Sequence, residues 1–244
     1  MARPEVTNAR RLLIKLSGDA FNGESESALC EQKAIGIASG LKKLVNSGRC
    51  VGVVVGGGNI LRGAKAMCES IPRVSLDQMG MLATLLNAKL LEQALIGIGV
   101  PAVLHSSIDC PLLIKRTLWE EVLHAYESQK IVIFAGGTGN PFFSTDSAAA
   151  LRGAEMGAEI LLKATQVDGV YSDDPHVNPA AERYDVLSWT EALQRNLKFM
   201  DATAIALCRE VNLPILVFNK AVIKKGEWLK VLEGSVVSTY IGKE

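Results

Sequence analysis

The sequence predicts an α/β protein, a three-layer α/β/α sandwich around a mostly parallel central sheet. Three observations carry that expectation. Short β-branched and aliphatic runs alternate with longer helical patterns along almost the whole chain, which is the signature of repeated βαβ units. The runs are continuously apolar rather than alternating, as in Cys50-Val51-Gly52-Val53-Val54-Val55, so the sheet should be covered on both faces. Two of them end in glycine-rich turns, at Gly56-Gly57-Gly58-Asn59 and Gly136-Gly137-Thr138-Gly139.

In chain order, residues 12–16 read as the first strand. Residues 32–46 follow as a helix with Ile35, Ala38, Leu41 and Val45 on one face, and residues 50–55 as the second strand. Asp77 opens a long helical pattern to about Ile96, with Met81, Leu85 and Ala88 in register. Residues 100–104 form the next strand, 118–126 a helix, and 131–134 a strand. Residues 146–156 are helical and 160–162 form a short buried strand. The polar segment 173–183, with Pro175 and Pro179, reads as a surface loop or an excursion from the sheet. Helices at 190–197 and 201–211 and strands at 215–218 and near 236–240 complete the pattern. Crossovers between parallel strands should be right-handed. No repeat, low-complexity run or linker interrupts the chain, so residues 1–244 are expected to form a single domain.

Composition narrows the function classes. The 244 residues carry 26 Lys+Arg against 26 Asp+Glu, with 48% hydrophobic and 21% charged residues. This is a globular composition rather than a disordered one. Zero net charge argues against coating a nucleic-acid polymer or an anionic membrane, but leaves small anionic ligands open. Cys30, Cys50, Cys68, Cys110 and Cys208 are scattered, as are His105, His124 and His176. An odd cysteine count without C-x-x-C favours free thiols in a reducing compartment over disulfides or zinc. Arg10-Arg11 before Leu12-Leu13-Ile14 suggests a twin-arginine export signal, but Lys15 and Asp19 break the apolar run. The longest uncharged apolar stretch, 94–104, falls short of the roughly 18 residues a membrane span needs. A cytoplasmic location is expected.

In an open parallel sheet, ligands gather beyond the carboxyl ends of the strands, and that is where the unusual residues fall. The first strand delivers Lys15-Leu16-Ser17-Gly18, and the second the Gly56–Asn59 turn with Arg62 soon after. The 131–134 strand delivers the turn from Gly136 to Pro141, with Ser144, Thr145 and Asp146 following. The 160–162 strand leads to Lys163-Ala164-Thr165 and Asp168-Gly169-Val170-Tyr171. Glycines let backbone N–H groups turn toward a phosphate, and a helix starting just beyond adds its positive end. Lys15, Arg62 and Lys163 can supply charge to phosphoryl oxygens. Taken singly, each feature has a plainer explanation: a tight turn, a strand-end surface lysine, or Thr145-Asp146 as a helix cap. Four such loops on one edge point to a polyphosphate site where two phosphorylated ligands meet end to end. There is no Walker A loop and no G-x-G-x-x-G after a strand. H-E-x-x-H and G-x-S-x-G are absent too.

Lys15-Leu16-Ser17-Gly18, Gly56–Asn59, the stretch from Asp77 to Thr84, the block from Gly137 to Ala149, and Leu162 to Tyr171 with Asp173-Asp174-Pro175 resemble the bacterial uridylate (UMP) kinases. The resemblance runs from about Arg11 to Asn219. The block from Thr138 onward is the most specific part. The lysine strand and triple glycine are shared across the amino-acid kinase superfamily. The resemblance implies MgATP-dependent conversion of UMP to UDP in pyrimidine nucleotide (CTP) biosynthesis, by a homohexamer. It places ATP on Lys15, Leu16, Ser17, Gly18, Gly58, Arg62, Thr165, Tyr171 and Asp174. It places UMP on Gly57, Asp77, Thr138, Gly139, Asn140, Pro141, Phe142, Phe143, Ser144 and Thr145. Catalytic roles fall to Lys15, Arg62, Asp146 and Asp201, with Asp146 orienting Lys15 or helping to organise Mg²⁺. No dedicated protein metal site is assigned.

Three positions depart from the pattern. Asp19 stands for the usual Glu, and Gln166 stands where Lys is common. The segment from Gly23 to Ala28 lacks the glycine- and aromatic-containing stretch of GTP-activated members, which leaves GTP activation open; inhibition by UTP is a further implied effector response. Because the UMP phosphate is already an anionic nucleophile, the implied mechanism needs no general base, only positioning and charge stabilisation. Two alternatives remain at this point: a small-acid kinase of the same superfamily, and a nucleotide-binding storage or sensor protein.

Overall fold

The computed structural model describes residues 3–23, 28–61 and 70–243. A short helix α1 (Pro4–Thr7) leads into β1 (Arg11–Leu16), a 3-10 turn (Gly18–Phe21), α2 (Glu31–Asn46) and β2 (Cys50–Val55). Then come α3 (Gly58–Leu61), α4 (Arg73–Gly97), β3 (Ala102–Ser106), β4 (Lys115–Arg116), α5 (Trp119–Glu127), β5 (Ile131–Ala135) and α6 (Thr145–Glu155). The remainder is β6 (Ile160–Thr165), β7 (Val170–Tyr171), β8 (Arg183–Tyr184), β9 (Val186–Ser188), α7 (Trp189–Gln194), α8 (Ala202–Glu210), β10 (Ile215–Asn219), α9 (Ala221–Lys225), α10 (Trp228–Leu232) and β11 (Ser238–Gly242).

Among the described residues the main sheet has nine strands in the order β4-β3-β5-β2-β1-β6-β10-β11-β9. Neighbours are parallel except β10 and β11, so β11 and β9 run against the rest. From β1 the chain moves outward through β2, and it returns to β1's other flank with β6. That reversal opens a crevice at the strand ends. Strand side chains alternate between faces. Leu12, Ile14 and Leu16 enter one apolar layer with helices α2 and α4. Leu13 and Leu161 enter the other, with Ala148, Ala149 and Ala150 of α6. The same parity sends Lys15 and Lys163 to the α6 face, and the two lysines are direct register partners on β1 and β6.

The structure shifts several element boundaries. Helix α4 starts at Arg73, four residues before the expected Asp77, because Pro72 fixes an extended residue ahead of it. Strand β3 begins at Ala102 rather than at residue 100. The Val100 N–H closes the turn after α4 by bonding Leu95 O, and Pro101 has no N–H to donate. Strand β6 runs on to Thr165, since Lys163 is buried and paired rather than marking a polar end. The 173–183 excursion is closed by the antiparallel β7–β8 pair. Sequence periodicity passed over β4 and β9, which are too short to carry a pattern. Among the described residues no helix is long and apolar enough to cross a membrane.

Candidate active site

The crevice beside β1 is built around one carboxylate. Ser144 caps α6, its Oγ accepting from Asp146 N at 3.0 Å. This frees the Asp146 side chain from capping, contrary to the plainer reading of Thr145-Asp146. One Asp146 oxygen lies 3.0 Å from Lys15 Nζ, and the other accepts from Lys163 Nζ. All three side chains are largely buried. Burial alone would raise the Asp146 carboxyl, but the charges of Lys15 and Lys163 outweigh it and hold the group below the usual carboxylate range. Burial pushes the Lys163 ammonium below its usual range despite Asp146, and the Lys15 charge adds to the shift. Two lysines share one carboxylate, and Lys15 is the more exposed of the two. That suits an incoming phosphate chain.

Beside this cluster the loop after β1 meets the loop after β2 backbone to backbone. A Cβ on Gly18 would lie 2.3 Å from Asn59 Oδ1 and 2.7 Å from Gly58 N, so only glycine fits. Leu16 is buried, and Ser17 Oγ accepts from Asp19 N. Thr165 sits at the end of β6, pairs with Asn219, and donates from Oγ1 to Val167 O at 2.7 Å. Tyr171 and Asp174 lie on the β7–β8 excursion. The Tyr171 hydroxyl donates to Asp168 Oδ1 at 2.6 Å, a bond that raises the phenol above its usual range. Asp174 Oδ1 accepts from His176 N. Arg62 lies outside the described residues, as does the 24–27 part of the departing segment. Asp201 precedes α8 without capping it, and it lines with Asp146 a second cavity of about 340 Å³. Among the described residues no three His, Cys, Asp or Glu side chains cluster as a metal site.

A cavity of about 310 Å³ opens next to the two glycine loops. Gly57, Asp77, Phe143, Ser144 and Thr145 line it, joined by Thr84 and Gly137. The other acceptor residues form the rim loop above it. Thr138 Oγ1 accepts from Asn140 N at 3.2 Å. Gly139 presses on Ser107 at φ +79°, where a Cβ would sit 2.8 Å from Ser107 O. Phe142 is exposed and holds φ +73°, a costly conformation for a bulky residue. Its N–H donates to Asp77 Oδ2 at 2.8 Å, and Arg73 pairs with Asp77 at 2.8 and 2.9 Å while its guanidinium lies over the Phe142 ring. Asp77 sits one turn inside α4, so it cannot cap the helix.

The sequence model of the amino acid kinase family matches residues 10–219. The chain belongs to that family. Among members of the amino acid kinase family it is 46% identical over 213 residues to a uridylate kinase of Protochlamydia amoebophila, spanning 87% of this chain and 85% of that protein. The crystal structure of a UMP kinase from Ureaplasma parvum superposes with a TM-score of 0.90 at 38% identity, covering 96% of this chain and 99% of that one. A UMP kinase structure from Bacillus anthracis gives 0.89 at 33% identity, covering 96% of each chain.

Three residues gain importance that the motifs did not give them. Lys163 is expected from the sequence to supply charge to phosphate, but its pairing with Asp146 beside Lys15 is not, and the matching strand parity of positions 15 and 163 is the signal that brings the two lysines together. Arg73 lay before the expected helix start. Thr84 closes the Asp77–Thr84 stretch, to which the resemblance assigns a site role only at Asp77.

Proposed function

We propose that the chain is an ATP-dependent uridylate kinase, transferring the γ-phosphoryl group of MgATP reversibly to UMP to give UDP and ADP. The observation that carries this reading is the Lys15–Asp146–Lys163 cluster, in which Lys15 lies three residues before Gly18 and Asp146 directly follows Thr145 of the Asp77 cavity. ATP phosphates belong on the loop amides and Lys15, with Leu16, Ser17, Thr165, Tyr171, Asp174 and Arg62 as further ATP-side residues. UMP belongs in the cavity, beneath the rim loop from Thr138 to Phe143. The 46% identity to a uridylate kinase supports UMP as the acceptor.

The chain's own residues position rather than ionise. Lys15 is aimed by its ion pair with Asp146, which limits the freedom of a flexible ammonium. Lys163 keeps Asp146 in place and adds charge as the transferring group spreads its own. The acceptor is already an anion, so no side chain has to remove a proton. Mg²⁺ takes one or two carboxylates plus phosphate oxygens, a donor set that Asp146 and Asp201 can complete along the cavity they share. When bound it would neutralise charge on the phosphate chain.

The same resemblance supports a single domain assembled as a homohexamer, work in the cytoplasm in pyrimidine nucleotide (CTP) biosynthesis, and inhibition by UTP. The solvent-facing side of α4, with Met79, Leu82 and Leu86 exposed, offers an apolar surface for subunit contact. The deciding experiment compares initial rates with ATP and UMP, CMP or N-acetylglutamate, with and without GTP and UTP. UDP formation with UMP, and no turnover of N-acetylglutamate, is the expected result. ATP binding without UDP formation would leave a storage or sensor protein instead.

A further inference from the structure

Helix α4 carries two fully buried polar residues on the face that meets the site. Thr84 and Asn87 are 3% and 0% exposed among Ala83, Leu85, Ala88 and Leu91. Apolar side chains would fill these positions without having to satisfy hydrogen bonds. Both residues instead bond to a different glycine loop. Thr84 Oγ1 donates to Met81 O within its own helix and accepts from Gly136 N at 2.7 Å. Gly136 lies one residue beyond β5 at φ +77°, where its N–H has left the ladder. Asn87 Nδ2 donates to Gly56 O and to Asn59 Oδ1, both at 2.7 Å. Asn59 Nδ2 answers to Asn87 Oδ1 at 3.0 Å and also reaches Ala28 O. Between these anchors the backbone of Gly57 lies so close to α4 that a Cβ would be 2.8 Å from Ala83 and 2.9 Å from Gly80 O.

One turn of a rigid helix therefore grips the loop that carries Gly58 and the loop that carries Gly137. We propose that Thr84 and Asn87 set the spacing between the donor and acceptor phosphate loops, as positioning residues for the transfer. This inference rests on the uridylate kinase reading and adds how the two phosphates are kept in line. Neither residue needs to touch the reacting atoms. Each fixes the backbone of one loop, and their separation of three residues on one helix face fixes the loops relative to each other. In-line transfer is sensitive to such spacing, since a displacement of about 1 Å can lower a rate by roughly a hundredfold.

The test is steady-state kinetics on the full-length enzyme, with thermal melts of each variant. Thr84→Val keeps the shape and strands the Gly136 N–H. It should lower kcat by roughly tenfold to a hundredfold and raise the UMP KM, with the ATP KM kept within about twofold. Thr84→Ser restores the hydroxyl and should recover most of the rate. Asn87→Leu should raise the ATP KM, which Thr84→Val leaves in place, because the loop it anchors carries Gly58 together with Gly57. A residue that only supports the core would move both KM values alike, and serine would not rescue. If the valine variant does not fold, Thr84→Ala against Thr84→Ser reads the same contrast. Wild-type UDP formation with Thr84→Val unchanged, or with both KM values shifted equally, overturns the inference. Absence of UDP with the wild type overturns the kinase reading instead.

Discussion

At the centre of the sheet Lys15, Asp146 and Lys163 are buried and locked together, whereas at the rim Arg73, Asp77 and Phe142 meet near solvent. The central cluster is fixed by its own ion pairs, at the cost of dehydrating three charges. The rim pairs a half-exposed Arg73 with a largely buried Asp77 carboxylate and sets an exposed aromatic ring at positive φ. Exposed pairs contribute about 0–1 kcal/mol, whereas removing one partner of a buried pair costs about 3–5 kcal/mol. The difference separates two jobs. The centre stabilises charge in a fixed geometry, and the rim changes partners cheaply when an acceptor enters.

Substitutions sharpen this contrast. The largest effect is expected for Asp146→Asn, which leaves Lys15 and Lys163 without the carboxylate that pairs with both. Unfolding in urea should show roughly 3–5 kcal/mol of lost stability, and an unchanged midpoint would break the idea of a locked centre. The wild-type Asp146 carboxyl titrates below its unfolded value of about 3.9. Its contribution is therefore complete above that pH and is lost as pH falls through the lowered value. Asp146→Asn should weaken this acid-side loss. Lys15→Ala comes next, with kcat down by about 10²- to 10³-fold and little change in the UMP KM. An unchanged kcat would remove Lys15 from the transfer.

At the rim, Asp77→Asn should raise the UMP KM by about tenfold, in line with one lost charge-assisted bond, while the urea midpoint moves less than it does for Asp146→Asn. Equal losses for ATP and UMP would make Asp77 structural. The smallest effect is expected at His105, buried at the end of β3. Burial pushes its imidazole down, outweighing the contact of Nδ1 with Arg116 O. The unfolded chain takes up that proton first, near pH 6.5, so the contribution of His105 is full above this pH and declines below it. Thermal melts of His105→Gln should lose stability less steeply as the pH drops from about 6.5, and an identical slope would contradict the assignment.

Much of this was legible in the sequence because two simple periodicities dominate it. Continuous apolar runs announced the covered parallel sheet, and glycines at strand ends announced the loops. The pairing of Lys163 with Lys15 was less visible. It follows from strand parity only once β1 and β6 are known to be neighbours, which depends on a crossover that no local pattern encodes. Thr84 and Asn87 were hidden for another reason. On a helix with apolar residues on most sides, two small polar residues read as ordinary tolerance, and their partners lie in loops far off in the chain. The strained Phe142 has no sequence signal, since a bulky residue rarely adopts positive φ and nothing in its type announces that it does so here.

The central claim is that two nucleotides meet end to end across the Lys15–Asp146–Lys163 cluster. The most direct measurement is calorimetric titration with adenosine and uridine joined through a chain of phosphates long enough to span both loops. Joining the ligands removes the separate cost of binding each. The compound should bind more tightly than ATP or UMP and should exclude both. Competition with only one nucleotide, or affinity no better than that of ATP alone, would contradict the account.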